Sequence, residues 1–468
     1  MRAIPTSETK LAYHPHRTVH WRVKVSSEGA SPWVVDLSAH VGRNWCLSAE
    51  WSERAGDPCG QATLRFRRNI EHDSIMPGRT SRANQNAGVA TDVLKEGKLL
   101  WFEVQVVPLD ALSASGGTWT EYFRGRIEEI NPGGERDHTI TVTCRDQGGD
   151  LLDQFVEEEQ GPKEGITNWW TALTWPRNIE TLCQDILDRA VAWTTATAVV
   201  VESDSALTEA TYVRPVTRNG FRYKCTTAGT THATTEPVWP TTLGSTVADN
   251  TATWTCWDRA PTVTLIGGSP WSVNQPEKDA KLVSKEPLLE VLRKLVGSIG
   301  YEIRYRWDAG SATFRLELYD PQRTYTTPDF TLTTDIYRWT GTPKRSRQNV
   351  RNRVRIIYSD KDAGWQRKWK TYQDAASQTA YGVRYCEIAE ASNANINTST
   401  EADDLGNIIL NDLRQPYWEG SVECVFFPYV LLNDVVRLNA STLPTRLFQS
   451  IKEFAVNGFK HSLEGGKA

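Results

Sequence analysis

The sequence predicts an α+β fold that is mainly β, with two barrel-like β domains, an α+β middle region and a small inserted β module. Three observations predict it. Apolar and polar residues alternate with period two through most of the first 150 residues, which is typical of strands. Apolar stripes at helical spacing occur in three later stretches. Between the first two of these stretches lies a segment rich in Thr, Gly, Ala and Trp that has almost no Leu or Ile.

Length and composition limit the possible classes of protein. The chain has 468 residues, of which 39% are hydrophobic and 24% charged, and its formal net charge is −4. This length favours about three domains. The charge argues against bulk nucleic-acid binding but allows a local basic patch. No run approaches the roughly 20 apolar residues that span a bilayer, and no signal segment is visible. We therefore expect no membrane anchor and no secretion.

The cysteines and tryptophans carry further information. Eight cysteines without a CxxC pair predict reduced, mostly buried thiols rather than a metal or redox motif. The state of Cys225 and Cys256 stays open at this point. Nineteen Trp against two Met indicate packing by large rigid side chains, and weakly favour contacts with other macromolecules.

Residues 1–155 are predicted to form an N-terminal barrel-like domain. Turn clusters separate several short strand-like segments, a spacing typical of barrels and sandwiches. Residues 70–92, rich in Arg, Asn, Gly and Ser, are predicted to be a long loop. The predicted strands read WRVKV, ATLRFRR, LLWFEVQVV, YFRGRIEEI and HTITVTC.

Residues 156–205 and 262–345 are predicted to form a helix-containing α+β domain. The acidic run at 157–159 is interpreted as a solvated linker. A helix is predicted over 179–191 with Asn178 as its N-cap. A second apolar helical face from Leu288 to Ile299 is followed by Gly300, a typical stop signal. The segments YEIRYRW and ATFRLELY follow as strands.

Residues 206–261 are predicted to be an inserted Trp- and Thr-rich β module made of short strands and tight turns. Its aromatic residues allow two interpretations. Tyr223, Trp239 and Trp254 can form a small aromatic core, because aliphatic residues are missing. The same three rings are candidate glycan contacts, because flat aromatic faces stack on sugar rings.

Residues 346–468 are predicted to form a C-terminal barrel-like domain with a helix at 400–414, where Thr400 and Asp403 have capping-box spacing. Alternation along its first strand predicts that Arg351, Arg353 and Arg355 share one face. This face is either solvated or a basic lining towards a channel, an acidic partner or passing nucleic acid. Aromatic residues are not expected between these arginines, so sequence-specific reading of bases is not expected.

Catalytic and metal-binding patterns are absent from the sequence. It contains no GxSxG elbow, P-loop or HExxH motif. His14, His16 and His20 lie near one another without a carboxylate or Cys at ligand spacing. We therefore expect no enzyme activity, no catalytic residue, no metal and no cofactor.

The order of several short motifs resembles that of the baseplate hub proteins of tailed bacteriophages. A Phe-x-Gly strand and a Cys-Arg-Asp strand end are similar to the first barrel of that family. A small β module with a Glu-Pro-x-Trp-Pro segment is similar to modules common in phage tail and fibre proteins. The motifs are Phe123-x-Gly125, Cys144-Arg145-Asp146, Glu236-Pro237-x-Trp239-Pro240, Asn352-Arg353-Val354, Tyr381-Gly382-Val383-Arg384 and Asp434-Val435-Val436.

The resemblance implies a structural role in the virion, at a tail tip or baseplate assembled in the host cytoplasm. It implies a homotrimer whose two barrel-like domains per subunit form a pseudo-sixfold ring around the DNA channel, joining the tail tube to the tip or central fibre. The implied partners are a distal tail or tail-tube ring protein, a central fibre or spike protein, the tape-measure protein and passing genomic DNA, bound without sequence specificity.

Two other functions stay open. The first is a glycan-binding adhesin or receptor-binding tail protein that uses the aromatic module. The second is a secreted carbohydrate-active enzyme, which the absent signal segment and absent acid pairs disfavour.

Overall fold

The structure of the chain is a computed structural model. It describes residues 17–26, 34–36, 46–57, 59–67, 94, 96–108, 119–131, 139–146, 148–154, 177–193, 200–201, 203, 211–266, 274–275, 287–297, 299–308, 313–321, 328–332, 337–340, 344–389, 396–424, 430–438 and 453–464. The predicted loop at 70–92 and the predicted acidic linker at 157–159 lie outside these residues.

Among its described residues, the first part of the chain forms seven strands whose side chains alternate between the core and solvent. All five strands predicted here from the period-two pattern are confirmed. The seven are β1 (Arg17–Ser26), β2 (Val34–Asp36), β3 (Cys46–Arg54), β4 (Gln61–Arg67), β5 (Leu99–Pro108), β6 (Thr120–Asn131) and β7 (Thr139–Asp146).

The described residues in the middle of the chain form three helices and several strands. The elements are α1 (Gly148–Leu152), β8 (Arg177–Asn178), α2 (Ile179–Asp188), β9 (Val191–Ala192) and β10 (Val200–Val201). The predicted inserted module contains β11 (Tyr212–Arg214), β12 (Phe221–Thr227), β13 (Gly229–Thr230), β14 (Thr246–Asp249) and β15 (Ala252–Arg259). The next strand, β16 (Thr262–Ile266), lies after the module and pairs with the later strand Thr313–Tyr319. These strands are followed by β17 (Asn274–Gln275), α3 (Leu288–Gly297), β18 (Glu302–Asp308) and β19 (Thr313–Tyr319).

The last part of the chain is again mainly β. Short 3-10 turns occur at Arg347–Asn349 and Lys361–Ala363. The elements are β20 (Phe330–Leu332), β21 (Tyr337–Trp339), β22 (Lys344–Arg345), β23 (Arg353–Asp360), β24 (Gln366–Gln373), α4 (Ala375–Tyr381), β25 (Tyr385–Ile388), α5 (Ser399–Leu413), β26 (Trp418–Glu419), β27 (Val422–Cys424), β28 (Val435–Leu438), β29 (Glu453–Ala455) and β30 (Gly458–Glu464).

The helix ends follow local backbone chemistry, and two predictions about them need correction. Asn178 is the N-cap of α2, as predicted, and accepts the Thr181 N–H at 2.8 Å. Helix α2 ends at Asp188 rather than at 191, because Arg189 has the left-handed φ of 42°. Helix α5 is capped by Thr398 with Glu401, not by Thr400 with Asp403, so it begins one residue earlier than predicted.

The largest sheet has eight strands in the order β2-β1-β5-β6-β7-β4-β3-β30. Its last strand comes from the other end of the described chain, since β30 pairs antiparallel with β3 over Ser48 to Arg54. The described C-terminal sheets are smaller. Their orders are β24-β23-β25 and β20-β28-β29, with two-stranded pairs β21-β27 and β22-β26.

The buried apolar side chains form four clusters, which show how the parts fit together. The first lies under the eight-stranded sheet and also contains Phe330, Leu332, Val436 and Leu438 from β20 and β28. The second joins the three helices α1–α3 to β16, β18 and β19. The module and the β23 sheet have small cores of their own. The α+β, mainly β fold class is confirmed, and strands from the C-terminal part complete the core of the first sheet.

None of the helices within the described ranges has the length and apolar character that crossing a bilayer requires.

Candidate interaction surfaces and motif residues

The sheet β24-β23-β25 has one covered face and one open face. Val354, Ile356 and Tyr358 of β23 pack with Ala402 and Leu405 of α5, so this face lies in the fourth core. The alternate residues of β23 therefore point to the opposite side. We call that side the outer face of the β23 sheet.

Two of the three predicted arginines lie on this outer face. Arg353 is exposed and Arg355 is half-buried, and they are two residues apart in β23. Arg351 lies before the strand begins, and its guanidinium donates to the carbonyls of Gln348 and Val350 at 2.8 Å each. The structure thus brings Arg353 and Arg355 together and places Arg351 at the end of the sheet. The channel- or partner-facing role of the three arginines remains a prediction.

No aromatic residue stands between these arginines in the sequence, but neighbouring strands bring two rings to the same face. Strand pairing aligns Trp369 of β24 with Ile357, and Tyr385 of β25 with Arg353. Both rings therefore share the outer face with the arginines. Trp369 is 60% exposed and Tyr385 is 49% exposed.

Polar contacts link the outer-face side chains to one another. The Arg355 guanidinium carbon lies 4.9 Å from the centroid of the Trp369 ring, a cation–π geometry. Arg355 also lies 3.7 Å from a Glu387 carboxylate oxygen, and the Tyr385 hydroxyl donates to Glu387 at 2.5 Å. The outer face is thus a preformed platform of rings and cations.

Asn352 fixes one end of this platform. Its side chain is fully buried, and its Nδ2 donates to the Gly382 carbonyl at 2.8 Å and to the Ser377 hydroxyl at 3.1 Å. Its Oδ1 accepts the Arg384 N–H at 2.8 Å. The Asn-Arg-Val and Tyr-Gly-x-Arg motifs are therefore two halves of one hydrogen-bonded junction between β23, α4 and β25.

Helix α5 approaches β24 closely at Gly406. A Cβ on this residue would lie 2.1 Å from the Tyr372 ring, so a side chain cannot fit without movement. The Tyr372 hydroxyl donates to Asp403 at 2.9 Å. Lys370 donates to the same carboxylate at 2.6 Å. These contacts hold α5 against the covered face.

The motifs of the first sheet and of the last strands also have structural roles. A Cβ on Gly125 would lie 2.2 Å from the Arg145 carbonyl oxygen, which explains the glycine of the Phe-x-Gly strand. Arg145 binds Glu128 at 2.9 Å. In the Asp434-Val435-Val436 segment, Asp434 accepts the Leu431 N–H at 2.8 Å.

Asp146, at the end of β7, is a half-buried residue whose carboxylate lies in a turn. It accepts the N–H groups of Gly60 at 2.7 Å and Gly148 at 2.8 Å. Burial raises the pKa of Asp146 to about 8, with a further contribution from the nearby Glu53 charge. The N–H groups of Gly60, Gly148 and Gly149 oppose this rise. Since the carboxyl is enclosed and bound to the backbone, its position fits a structural role.

The three candidate glycan-contact residues form the centre of the inserted module. Tyr223 and Trp254 have no exposed surface, and Trp239 is half-buried against them. The ring centroids of Tyr223 and Trp239 are 4.4 Å apart. Asp249 accepts the indole N–H groups of Trp254 at 3.1 Å and Trp193 at 2.9 Å. Direct stacking of a sugar on Tyr223 or Trp254 would require the module to open.

Ion pairs fasten the module to helix α2. Asp188, the last residue of α2, binds Arg218 at 2.9 Å and Arg214 at 3.1 Å. Asp258 of β15 binds Arg222 at 2.7 Å and Arg189 at 2.9 Å. Because the two carboxylates are largely enclosed, loss of either would leave guanidinium groups poorly compensated.

The histidines and cysteines form no evident site in the described ranges. His14 and His16 lie outside those ranges, and His20 is exposed in β1. All eight cysteines are free thiols, six of them buried, including Cys225 and Cys256. Across the described ranges, no three His, Cys, Asp or Glu residues are placed to share a metal ion.

Comparison with known proteins gives the following results. No protein-family model matches the sequence, and no curated protein sequence matches it. A prophage MuSo2 43 kDa tail protein from Shewanella oneidensis is similar at TM-score 0.44 and 11% identity, covering 96% of this chain and 95% of that one. A tail protein from Neisseria meningitidis MC58 is similar at TM-score 0.42 and 10% identity, covering 95% and 92%.

A third similar structure is a component of the Escherichia coli type VI secretion system. Its TM-score is 0.36 and its identity 11%, covering 90% of this chain and 70% of that one. The first two are named as tail proteins, and the third is described as structurally similar to bacteriophage T4 tail proteins gp27 and gp5. At these identities, no functional role is transferred from those proteins to any residue of this chain.

Proposed function

We propose that the chain is a structural, non-enzymatic subunit of a phage-type tail tip or baseplate hub. The observation that carries this proposal is the completion of the first sheet by β30, together with the core that β20 and β28 share with that sheet. Distant parts of the chain thereby form one continuous packed body. Such a body can transmit force between partners without chemistry. The motif residues support the same role, since those described above hold backbone segments together.

The finer part of the proposal concerns assembly. Three copies close into a ring through heterologous contacts, and two β regions per subunit give it a pseudo-sixfold outline. The ring joins the tail tube to the tip or central fibre and surrounds the DNA channel. Its other partners are a distal tail or tail-tube ring protein, a spike protein and the tape-measure protein. The sequence resemblance supports this arrangement.

The mass of the assembly in solution tests this proposal. Light scattering coupled to size-exclusion chromatography is expected to give three times the chain mass across a dilution series. Negative-stain images of the same fraction are expected to show closed rings with a central opening. A monomer at every concentration, or an open filament, would contradict the trimeric hub.

A glycan-binding adhesin remains the second candidate, with one observation in its favour. A cleft of about 250 Å³ lies where the module meets the first sheet, and Trp257, Asp258, Arg126 and Asp153 are among its lining residues. Trp257 is 47% exposed, so its ring can meet a sugar without unfolding the module. Binding on a glycan array that Trp257→Ala abolishes would favour the adhesin. If the chain binds no glycan on the array, the adhesin hypothesis is wrong.

A further inference from the structure

The charge of the molecule is unevenly distributed. Residues 344–389, which are described without a gap, contain eleven Lys and Arg and four Asp and Glu, a formal charge of +7. The whole chain contains 53 Lys and Arg and 57 Asp and Glu. The remainder of the chain therefore contains 42 basic and 53 acidic residues, a formal charge of −11. We call residues 344–389 the basic lobe. A basic patch on an acidic protein is the usual electrostatic footprint of a polyanion-binding surface.

Part of this positive charge is not compensated within the described ranges. Lys368 and Arg355 have carboxylate partners in the lobe, Asp360 and Glu387. Three further arginines, by contrast, form no ion pair with a described carboxylate. They are Arg347 in the 3-10 turn at Arg347–Asn349, Arg353 at the start of β23, and Arg384 immediately before β25.

The outer face adds exposed rings to this charge. Trp369 and Tyr385 lie there beside Arg353, Arg355 and Arg367, whereas Lys368 and Lys370 alternate towards the covered face. Rings between cations on an open sheet match the two chemical groups of a nucleic-acid strand. Phosphates bind the cations, and bases stack on the rings. A duplex hides its base faces, whereas a single strand offers them.

A second copy of this chain fits the surface less well. Pairing of β24 with another β24 would bring cations of the two strands close to one another, and like charges opposite one another destabilise a sheet. An acidic protein would satisfy the cations and could also cover the rings. The combination of exposed rings and charge at one site favours nucleic acid.

We propose that the outer face of the β23 sheet is a binding surface for single-stranded nucleic acid without sequence specificity. Arg353, Arg355 and Arg367 contact phosphates, while Trp369 and Tyr385 stack on bases. This goes beyond the proposed role, because a ring that encloses a genome does not by itself bind single strands. It also holds for the isolated chain in any oligomeric state.

Fluorescence anisotropy with fluorescein-labelled oligo(dT) of twenty nucleotides tests the proposal on the full chain. We expect binding at low salt that weakens linearly with the logarithm of salt concentration. Trp369→Ala is expected to weaken binding roughly 5- to 100-fold, the usual range for loss of one stacked base. Arg353→Gln removes one phosphate contact. The slope of the logarithm of the binding constant against the logarithm of salt concentration is therefore expected to become shallower by about one. A duplex of equal length is expected to bind more weakly.

Matched controls separate this surface from general effects. Trp257→Ala removes an exposed tryptophan from the module, and Lys460→Gln removes an exposed cation from the first sheet. Both are expected to bind oligo(dT) like the wild type. Melting temperatures of all variants confirm folding, which exposed positions should preserve.

The remaining outcomes overturn the proposal. The first is that oligo(dT) does not bind at low salt. The second is that Trp257→Ala and Trp369→Ala lose oligo(dT) affinity equally. The third is that the duplex binds and Trp369→Ala leaves its affinity unchanged. If Trp369→Ala instead lowers the assembled mass while oligo(dT) does not bind, the surface is a protein interface. The scattering experiment tests the trimer independently, so each proposal can fail without the other.

Discussion

Asn352 and Arg384, the residues immediately before strands β23 and β25, are joined by two hydrogen bonds. The Arg384 N–H donates to Asn352 Oδ1 at 2.8 Å, and the Asn352 N–H donates to the Arg384 carbonyl at 3.0 Å. The Asn352 side chain is also fully enclosed. This pair sets the spacing of β23 and β25, and so the position of Arg353 relative to Tyr385 on the outer face.

Asn352→Ala is therefore expected to destabilise the β23 sheet. It removes the bonds of Asn352 to the Arg384 N–H, the Gly382 carbonyl and the buried Ser377 hydroxyl, and loss of a buried partner costs about 1–3 kcal/mol. Hydrogen exchange across residues 344–389 measures the local effect. Asn349→Ala, at an exposed position nearby, is the control and should leave protection unchanged. Equal protection in both variants would contradict this interpretation.

Gly406→Ala is expected to lower stability by about 1–3 kcal/mol, because its Cβ would collide with the Tyr372 ring. Gly297→Ala is the matched control in another helix. A Cβ at that position meets no atom within 4 Å, so the change should be neutral or slightly stabilising. Thermal melting distinguishes the two variants. In the double variant Gly406→Ala with Tyr372→Ala the clashing ring is gone. Its loss of stability should therefore be smaller than the sum of the losses in the two single variants.

Asp249→Ala and Trp254→Ala test whether the aromatic centre of the module is its core. The first leaves two indole N–H groups buried without an acceptor, at about 1–3 kcal/mol each. The second opens a large cavity, which costs about 3–5 kcal/mol. Both should increase proteolysis within residues 211–266, whereas the exposed Thr241→Ala should not. Intact folding of Trp254→Ala would refute the core interpretation.

Asp146 predicts a particular dependence of stability on pH. Its folded-state pKa, raised to about 8, lies above its ordinary value of 3.8, so the folded state binds more protons in that interval. Its contribution is therefore complete below about pH 4 and is lost as the pH rises towards 8. Asp146→Asn cannot ionise. The stability difference between wild type and Asp146→Asn should thus shift in favour of the variant between pH 5 and pH 8, as measured by melting temperature. A constant difference would contradict the raised pKa.

Local patterns in the sequence predicted much of the secondary structure. Alternation located the strands of the first sheet, and Asn178 located the start of α2. The start of α5 was misplaced by one residue because Thr398 with Glu401 satisfies the capping geometry better than Thr400 with Asp403. Both pairs have the same spacing in the sequence, and only the backbone geometry distinguishes them.

Long-range pairing could not be predicted in the same way. Trp369 reaches the arginine face only because the β23–β24 hairpin aligns it with Ile357. The alternation of Arg367, Trp369 and Thr371 was the available signal for this placement. No local pattern indicates that β30 pairs with β3 or that β16 runs parallel to β19, because those contacts depend on the packing of the whole chain.

The pairing of β30 with β3 has a consequence for biosynthesis. The contact between Ser462 and Glu50 joins residues 412 positions apart. At ordinary translation rates of about 5–20 residues per second, the ribosome needs roughly 20–80 s to span that interval. During this time the outer edge of β3 has its backbone groups open to any passing strand, a known route to aggregation. Nascent chains of this protein are thus expected to need chaperone protection until the last strand emerges.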